Sequence, residues 1–399
     1  MLYTYYKKYG NQILYSFIDD DGNTQHKSFK KYKPKLYTKT EDANEAHALV
    51  KSIYGHDLKE IEFDDIKSAN DFIKQMKEVD GFPIEGNDKF DNQFIIDIHD
   101  GQVPSFDPTQ IRGCVLDIEV TAPEFPDPKE AKYPIDLISL YDTGTKRFTT
   151  FGLGEYVHTN DDTEASSFDV DYHACTDERQ LLMRLVEHME ANRYHYTSGW
   201  YSTAFDMPYI ALRIQQVLGL SALKRMSPFG VARIWETKDD QFNEMVKVDI
   251  YGLPHLDYQE IYKKHTYTPR ESYSLNHISE EELGKTKLSY EEEGSLQNLS
   301  KANWKKYVSY NLIDVQRIVD LDEKLGLFNL VFTIAYYCLA NYEDAQVTVA
   351  LWEKLIAKEL YNMGKVPLIK TGNNPKIQYP GGFVSHPIAR RDRDWETQG

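Results

Sequence analysis

Cysteine is scarce in this chain. Its 399 residues hold three, Cys114, Cys175 and Cys338, and none stands in a C-x-x-C pair. That excludes a disulfide-stapled scaffold and a cysteine-built zinc site, and it suits a reducing cytosol. Long apolar runs are missing as well. The longest, around 330–340, is interrupted by Thr333 and is too short to span a bilayer, so no membrane partner is expected. Residues 1–10 carry no apolar core of the secretory-signal kind. Positive charge is in deficit: 63 acidic residues against 46 basic ones leave a net charge of −17. Such a protein does not cling to nucleic acid over its whole surface, and any binding of that kind must be local. The G-x-S-x-G elbow, the H-E-x-x-H helix and the P-loop are all absent. Ser221-Ala222-Leu223-Lys224 matches S-x-x-K only formally, in a polar stretch.

Carboxylates are what the chain has. In Cys114-Val115-Leu116-Asp117-Ile118-Glu119-Val120 two acids lie two residues apart inside an apolar, β-branched run. In a strand, residues i and i+2 share a face, so Asp117 and Glu119 project together. Two ionised carboxylates in an apolar setting repel each other and lose solvation. Divalent cations compensate, and an oxygen-only site suits magnesium or manganese. An exposed strand end would carry a lone D-x-E equally well. Further acids decide the matter.

Asp206 follows a short aromatic strand in Gly199-Trp200-Tyr201-Ser202-Thr203-Ala204-Phe205-Asp206-Met207-Pro208-Tyr209 and opens a helix. An N-cap role for it, with Pro208 in the first turn, is the plainer alternative. A second helix is predicted from the apolar seam Tyr307, Tyr310, Ile318, Leu321 and Leu325. Asp314 falls within that seam, four residues after Tyr310, and a charge in a core-facing register needs a partner or a metal. A buried Arg or Lys would serve as that partner equally well. Taken together, four carboxylates and a tyrosine make a two-metal phosphodiester hydrolysis site, with two cations roughly 3.5–4 Å apart. Tyr310 is then placed to orient the attacking water.

The order D-x-E, G-W-x-x-x-x-F-D-x-P-Y, Y-N-x-x-D-V resembles the three exonuclease motifs of family B DNA polymerases, most closely the replicative enzymes of T-even-type phages. Further matches are 125–128 with 131–136, 272–279 and 379–384. The resemblance makes Asp117, Glu119, Asp206 and Asp314 ligands of two Mg²⁺ or Mn²⁺ ions and Tyr310 the water-orienting group. It also nominates Phe125, Tyr201 and Lys287 for substrate contact. Tyr201 departs from the family's usual Asn, and Asn276 stands where Asp is common. The chain stops at Gly399, eighteen residues after Gly381, where the resembling enzymes begin their palm.

The fold expected is α/β (α+β overall). A ribonuclease H-like exonuclease domain with a mixed five-stranded sheet occupies 106–326, and a mixed α+β N-terminal domain occupies 1–105. Residues 327–381 form a return segment packing on the N-terminal domain, and 382–399 a tail. Strands are expected over Leu2 to Tyr9 and Gln12 to Asp19, a helix-like stretch over Ala43 to Tyr54, and a long hairpin around a tip at 237–243. Asp177 with Gln180 has capping-box spacing ahead of a helix. The lysines among the first forty residues interleave with tyrosines, which suits single-stranded nucleic acid, RNA included. A lysine-studded solvated face is the alternative there. The function expected is a 3′→5′ proofreading exonuclease acting on single-stranded and primer–template DNA. It would work in the cytoplasm of a phage-infected bacterium beside a second chain carrying the palm. A nucleic-acid-binding or assembly subunit and an exoribonuclease are the competing readings.

Overall fold

The computed structural model describes residues 1–47, 49–79, 82–159, 164–238, 242–285 and 296–369. Three antiparallel strands open the chain: β1 (Leu2–Tyr9), β2 (Gln12–Ile18) and β3 (Thr24–Phe29). Asp19 shapes the β2–β3 turn by accepting N–H bonds from Asp21 and Asn23. A second small sheet sets β4 (Lys35–Lys39) between β6 (Leu58–Glu62) and β7 (Ile84–Glu85). The helices of this region are α1 (Ile66–Met76), whose capping box joins Asp65 to Ser68, and α2 (Phe90–His99).

The helix expected over 43–54 does not form. Its described residues are turns around the two-residue strand β5 (Lys51–Ser52). Leu49, Ile53 and Tyr54 are exposed, so no buried stripe exists to stabilise a helix. The backbone instead pairs in parallel with β16 (Lys365–Val366).

The central sheet runs β11 (Val170–Ala174), β10 (Arg147–Gly152), β9 (Leu137–Asp142), β8 (Gly113–Glu119), β12 (Tyr196–Gly199), β15 (His255–Asp257). It is mixed, as expected, but has six strands among the described residues rather than five. The extra one is β15, only three residues long, joined in parallel to β12. On one face lie α3 (Glu178–Asn192), capped by Asp177 onto the Gln180 N–H, α4 (Asp206–Val217) and α5 (Leu220–Arg225). β13 (Ala232–Lys238) and β14 (Glu244–Ile250) form the expected antiparallel hairpin, with 239–241 outside the described residues. Then come α6 (Tyr258–His265), α7 (Leu275–Leu283), α8 (Leu296–Ala302) and α9 (Trp304–Leu325).

α9 positions the site. Its buried seam of Tyr307, Leu312, Val315, Ile318 and Leu321 packs against β8 and β9, each such side chain contributing about 1.5–3 kcal/mol on burial. α10 (Leu327–Cys338) and α11 (Thr348–Asn362) follow, and α10 meets the first strand directly. Tyr3 donates its hydroxyl to the carbonyls of Ala335 and Ala340, and Tyr6 donates to that of Leu339.

Candidate functional site

β8 carries Asp117 and Glu119, both half-buried, in register with Ser139 and Leu137 of β9. Next to β8 in the sheet, β12 ends at Gly199, where a Cβ would meet the Leu116 carbonyl oxygen at 2.9 Å and Ser202 Cβ at 2.7 Å. Only glycine allows the chain to turn so tightly over β8. The turn delivers Asp206 as the first residue of α4, with Phe205 at the cap position; Asp206 is therefore not the N-cap. Its side chain reaches back to β8 and accepts the Ile118 N–H at 3.2 Å. Asp206 is 4% exposed, and burial pushes its carboxyl up to about 7 against the pull of that N–H.

α9 closes the site from the other side. Asn311, fully buried, donates its amide to Asp117 Oδ2 at 2.6 Å, and Asp314 follows one turn later, 6% exposed. Arg317, the buried arginine a further turn on, forks onto both oxygens of Glu164 at 2.8 and 2.6 Å. Tyr310 is buried beside Asn311. Asp136, near the start of β9, accepts the Thr121 N–H at 2.7 Å and its N–H bonds the Glu119 carbonyl. Burial raises the Asp136 carboxyl as well.

Asp117, Glu119, Asp206 and Asp136 thus lie on or against one stretch of β8, and the donors are oxygen throughout. Asn311 Oδ1, buried next to Asp117, has no hydrogen-bond partner among the described residues. Hard carboxylate and amide oxygens fit Mg²⁺ or Mn²⁺. Among the described residues, no three His, Cys, Asp or Glu side chains converge closely enough to hold an ion as they stand. The amide of Asn311 occupies one Asp117 oxygen in this arrangement.

Phe125 is 82% exposed at the rim, its ring 5.5 Å from that of Phe205. Tyr201 is 54% exposed and holds a left-handed backbone, φ 59°. Lys287 and residues 379–384 lie outside the described residues. Lysines of the basic N-terminal stretch are engaged by acids: Lys7 by Asp249, Lys33 by Glu62, Lys35 by Glu60. Sequence reasoning missed Asn311 and Asp136 as members of the site. Asn311 had a signal: one turn before Asp314 on the same helix, it shares that residue's face.

β8, the turn after Gly199 and the core helix α9 bring Asp117, Asp206 and Asn311 together. The model for the exonuclease domain of DNA polymerase family B matches residues 67–278, more than half of the chain, and the chain belongs to that family. It is 31% identical over 402 aligned positions to the DNA-directed DNA polymerase of Escherichia phage RB69 and 30% identical to that of Enterobacteria phage T4. Each alignment covers 96% of this chain but 43% and 44% of the phage enzymes, so the chain spans under half the length of these relatives. Among the described residues no helix is long and apolar enough to cross a membrane.

Proposed function

We propose that this chain is a metal-dependent 3′→5′ exodeoxyribonuclease, the proofreading portion of a phage-type replicative polymerase, built on a ribonuclease H-like core at residues 106–326. The observation that carries the reading is the meeting of Asp117, Asp206 and Asn311 of α9 at β8, in a chain of this family. Asp117, Glu119, Asp206 and Asp314 would hold two divalent cations. Bound there, such ions lower the pKa of an attacking water and neutralise charge developing on the phosphate. The chain's own residues do the rest. Asn311 fixes the Asp117 carboxylate by its amide, and the Ile118 N–H fixes that of Asp206. Tyr310 orients the attacking water from α9. Phe125 and Tyr201 stand exposed at the rim, where their rings suit stacking on unpaired bases.

More than half of each relative lies outside the region matched here. We extend the proposal to primer–template DNA as a substrate, on which these residues would work beside a polymerase palm. The working division remains 1–105, 106–326, 327–381 and a tail at 382–399.

The test uses 5′-labelled single-stranded DNA, the matching RNA, and a primer–template, each with Mg²⁺ and with chelator. Metal-dependent shortening of the DNA from its 3′ end is expected, with the primer shortened and never extended by this chain alone. Preferential cleavage of RNA supports an exoribonuclease instead. Binding without cleavage supports an assembly subunit.

A further inference from the structure

The turn 200–205 is held by two side chains that the hydrolysis site does not use. Both come from β15, whose residues His255 and Asp257 lie two apart and so share a face. β15 pairs with β12 in the register Thr197↔His255 and Gly199↔Asp257, which sets both side chains beside the turn that follows β12.

Asp257 is buried, and its two oxygens are divided between turn and helix. Oδ1 accepts the Tyr201 N–H at 3.1 Å and the Gln259 N–H at 2.9 Å, the second bond capping α6. Oδ2 accepts the Thr203 N–H at 2.9 Å. His255 takes the residue between: Nε2 lies 2.8 Å from Ser202 Oγ, while Nδ1 lies 2.9 Å from Thr197 Oγ1. Three successive residues, Tyr201, Ser202 and Thr203, are therefore tied to one short strand.

The turn needs the ties. Tyr201 is a bulky residue at φ 59°, a conformation that costs of order 1–3 kcal/mol and persists only where its surroundings enforce it. The next links run straight to the site: Phe205 N–H bonds the Tyr201 carbonyl and Met207 N–H bonds the Ser202 carbonyl, bracketing Asp206. Release of Tyr201 and Thr203 would let the turn relax and draw Asp206 away from the Ile118 N–H.

We propose that Asp257, assisted by His255, is a positioning residue of the exonuclease site: it locks the strained turn at Tyr201 so that the Asp206 carboxylate stays over β8. Its hydrogen bonds go to the turn and to α6, and its charge also lies close enough to raise the Asp206 carboxyl. This rests on the exonuclease reading above for its kinetic arm, though not for its structural one.

Two variants of the full chain separate positioning from capping. Asp257→Asn keeps the shape but presents an N–H₂ to one of the two turn amides. Asp257→Ser keeps a good N-cap for α6 and is too short to hold both turn amides. In both, kcat on single-stranded DNA should fall 10- to 100-fold with KM within threefold. The thermal midpoint should stay within a few degrees, and hydrogen exchange over 200–207 should quicken at least tenfold while α10 is unchanged. Normal kcat and unchanged exchange in Asp257→Ser would overturn the proposal and leave Asp257 a helix cap. A kcat loss matched by the unfolded fraction, with exchange quickened everywhere, would overturn it too. If the wild type cleaves no DNA, the exonuclease reading fails, while the exchange experiment still decides whether Asp257 holds the turn.

Discussion

Lowering the pH from 7 to 5 should weaken the contribution that the buried histidines make to stability, while Asp206 and Glu343, held up near 7 by burial, work in the opposite direction; His195 shows the histidine effect. It sits between α3 and β12 and joins the first sheet to the central one. Its Nδ1 accepts the Arg112 N–H at 2.9 Å, and its Nε2 lies 2.8 Å from Thr24 Oγ1 on β3. An Nδ1 that accepts leaves the proton of the neutral ring on Nε2, so the ring donates to Thr24. Protonation would set an N–H against the Arg112 N–H. Burial, with His26 and Arg112 adding repulsion, pushes the imidazole down to about 4 from an ordinary value near 6.5. Above pH 6.5 the ring is neutral in both folded and unfolded chains, and its contribution to stability is complete. As the pH falls from 6.5 toward 4, the unfolded chain takes up the proton and the folded one does not. Stability then falls by about 1.4 kcal/mol per pH unit, or about 2 kcal/mol between pH 7 and 5 from this residue alone. His26, His99 and His188, also near 4, and His255, near 3, act in the same direction. Urea unfolding of wild type and His195→Asn at pH 7 and 5 measures the effect. The Asn side chain carries an acceptor but does not titrate. Its loss between the two pH values should be about 2 kcal/mol smaller than that of wild type. Equal losses would refute the reasoning, because His195 would then be protonating inside the fold at no cost.

Three further outcomes are expected. Tyr310→Phe should slow hydrolysis by about 10²–10⁴-fold with Mn²⁺ affinity, measured by calorimetry, nearly retained; affinity falling together with rate would make the tyrosine part of the ligand set. Asn311→Leu removes a hydrogen bond to a charged group worth about 1.5–3 kcal/mol, so single-turnover cleavage should slow by about 10- to 100-fold. An unchanged rate would show that Asp117 needs no such support. Phe125→Ala, at an exposed site, should leave the unfolding midpoint in place while weakening single-stranded DNA binding by about 1–3 kcal/mol in a fluorescence titration.

The parts of this molecule that were legible beforehand are those written in local periodicity. The alternation that sets Asp117 and Glu119 on one face of β8 is a property of seven residues, and the seam that carries Asp314 inward is a property of one helix. β1, β2 and the β13–β14 hairpin were legible for the same reason. What was illegible depends on partners distant in sequence. β15 is three residues long and is a strand only because β12 offers it an edge. Residues 43–54 carry helix-forming alanines, yet 364–366, more than three hundred residues away, capture the backbone of 51–53. The placement of Asp206 one residue inside its helix, with its side chain turned back to β8, likewise follows from the tight approach at Gly199 rather than from the D-x-P pattern.

The most direct measurement of the central claim compares wild type with the Asp117→Ala, Glu119→Ala double variant on 5′-labelled single-stranded DNA, with Mg²⁺ or Mn²⁺ present and with both chelated. The wild type should give a ladder shortening from the 3′ end only when metal is present. The double variant should retain under about a tenth of that rate, and its metal-free unfolding midpoint should be unchanged or higher, because two neighbouring carboxylates no longer repel each other. A variant that digests DNA at the wild-type rate, or a wild type that digests it equally well in chelator, would contradict the account.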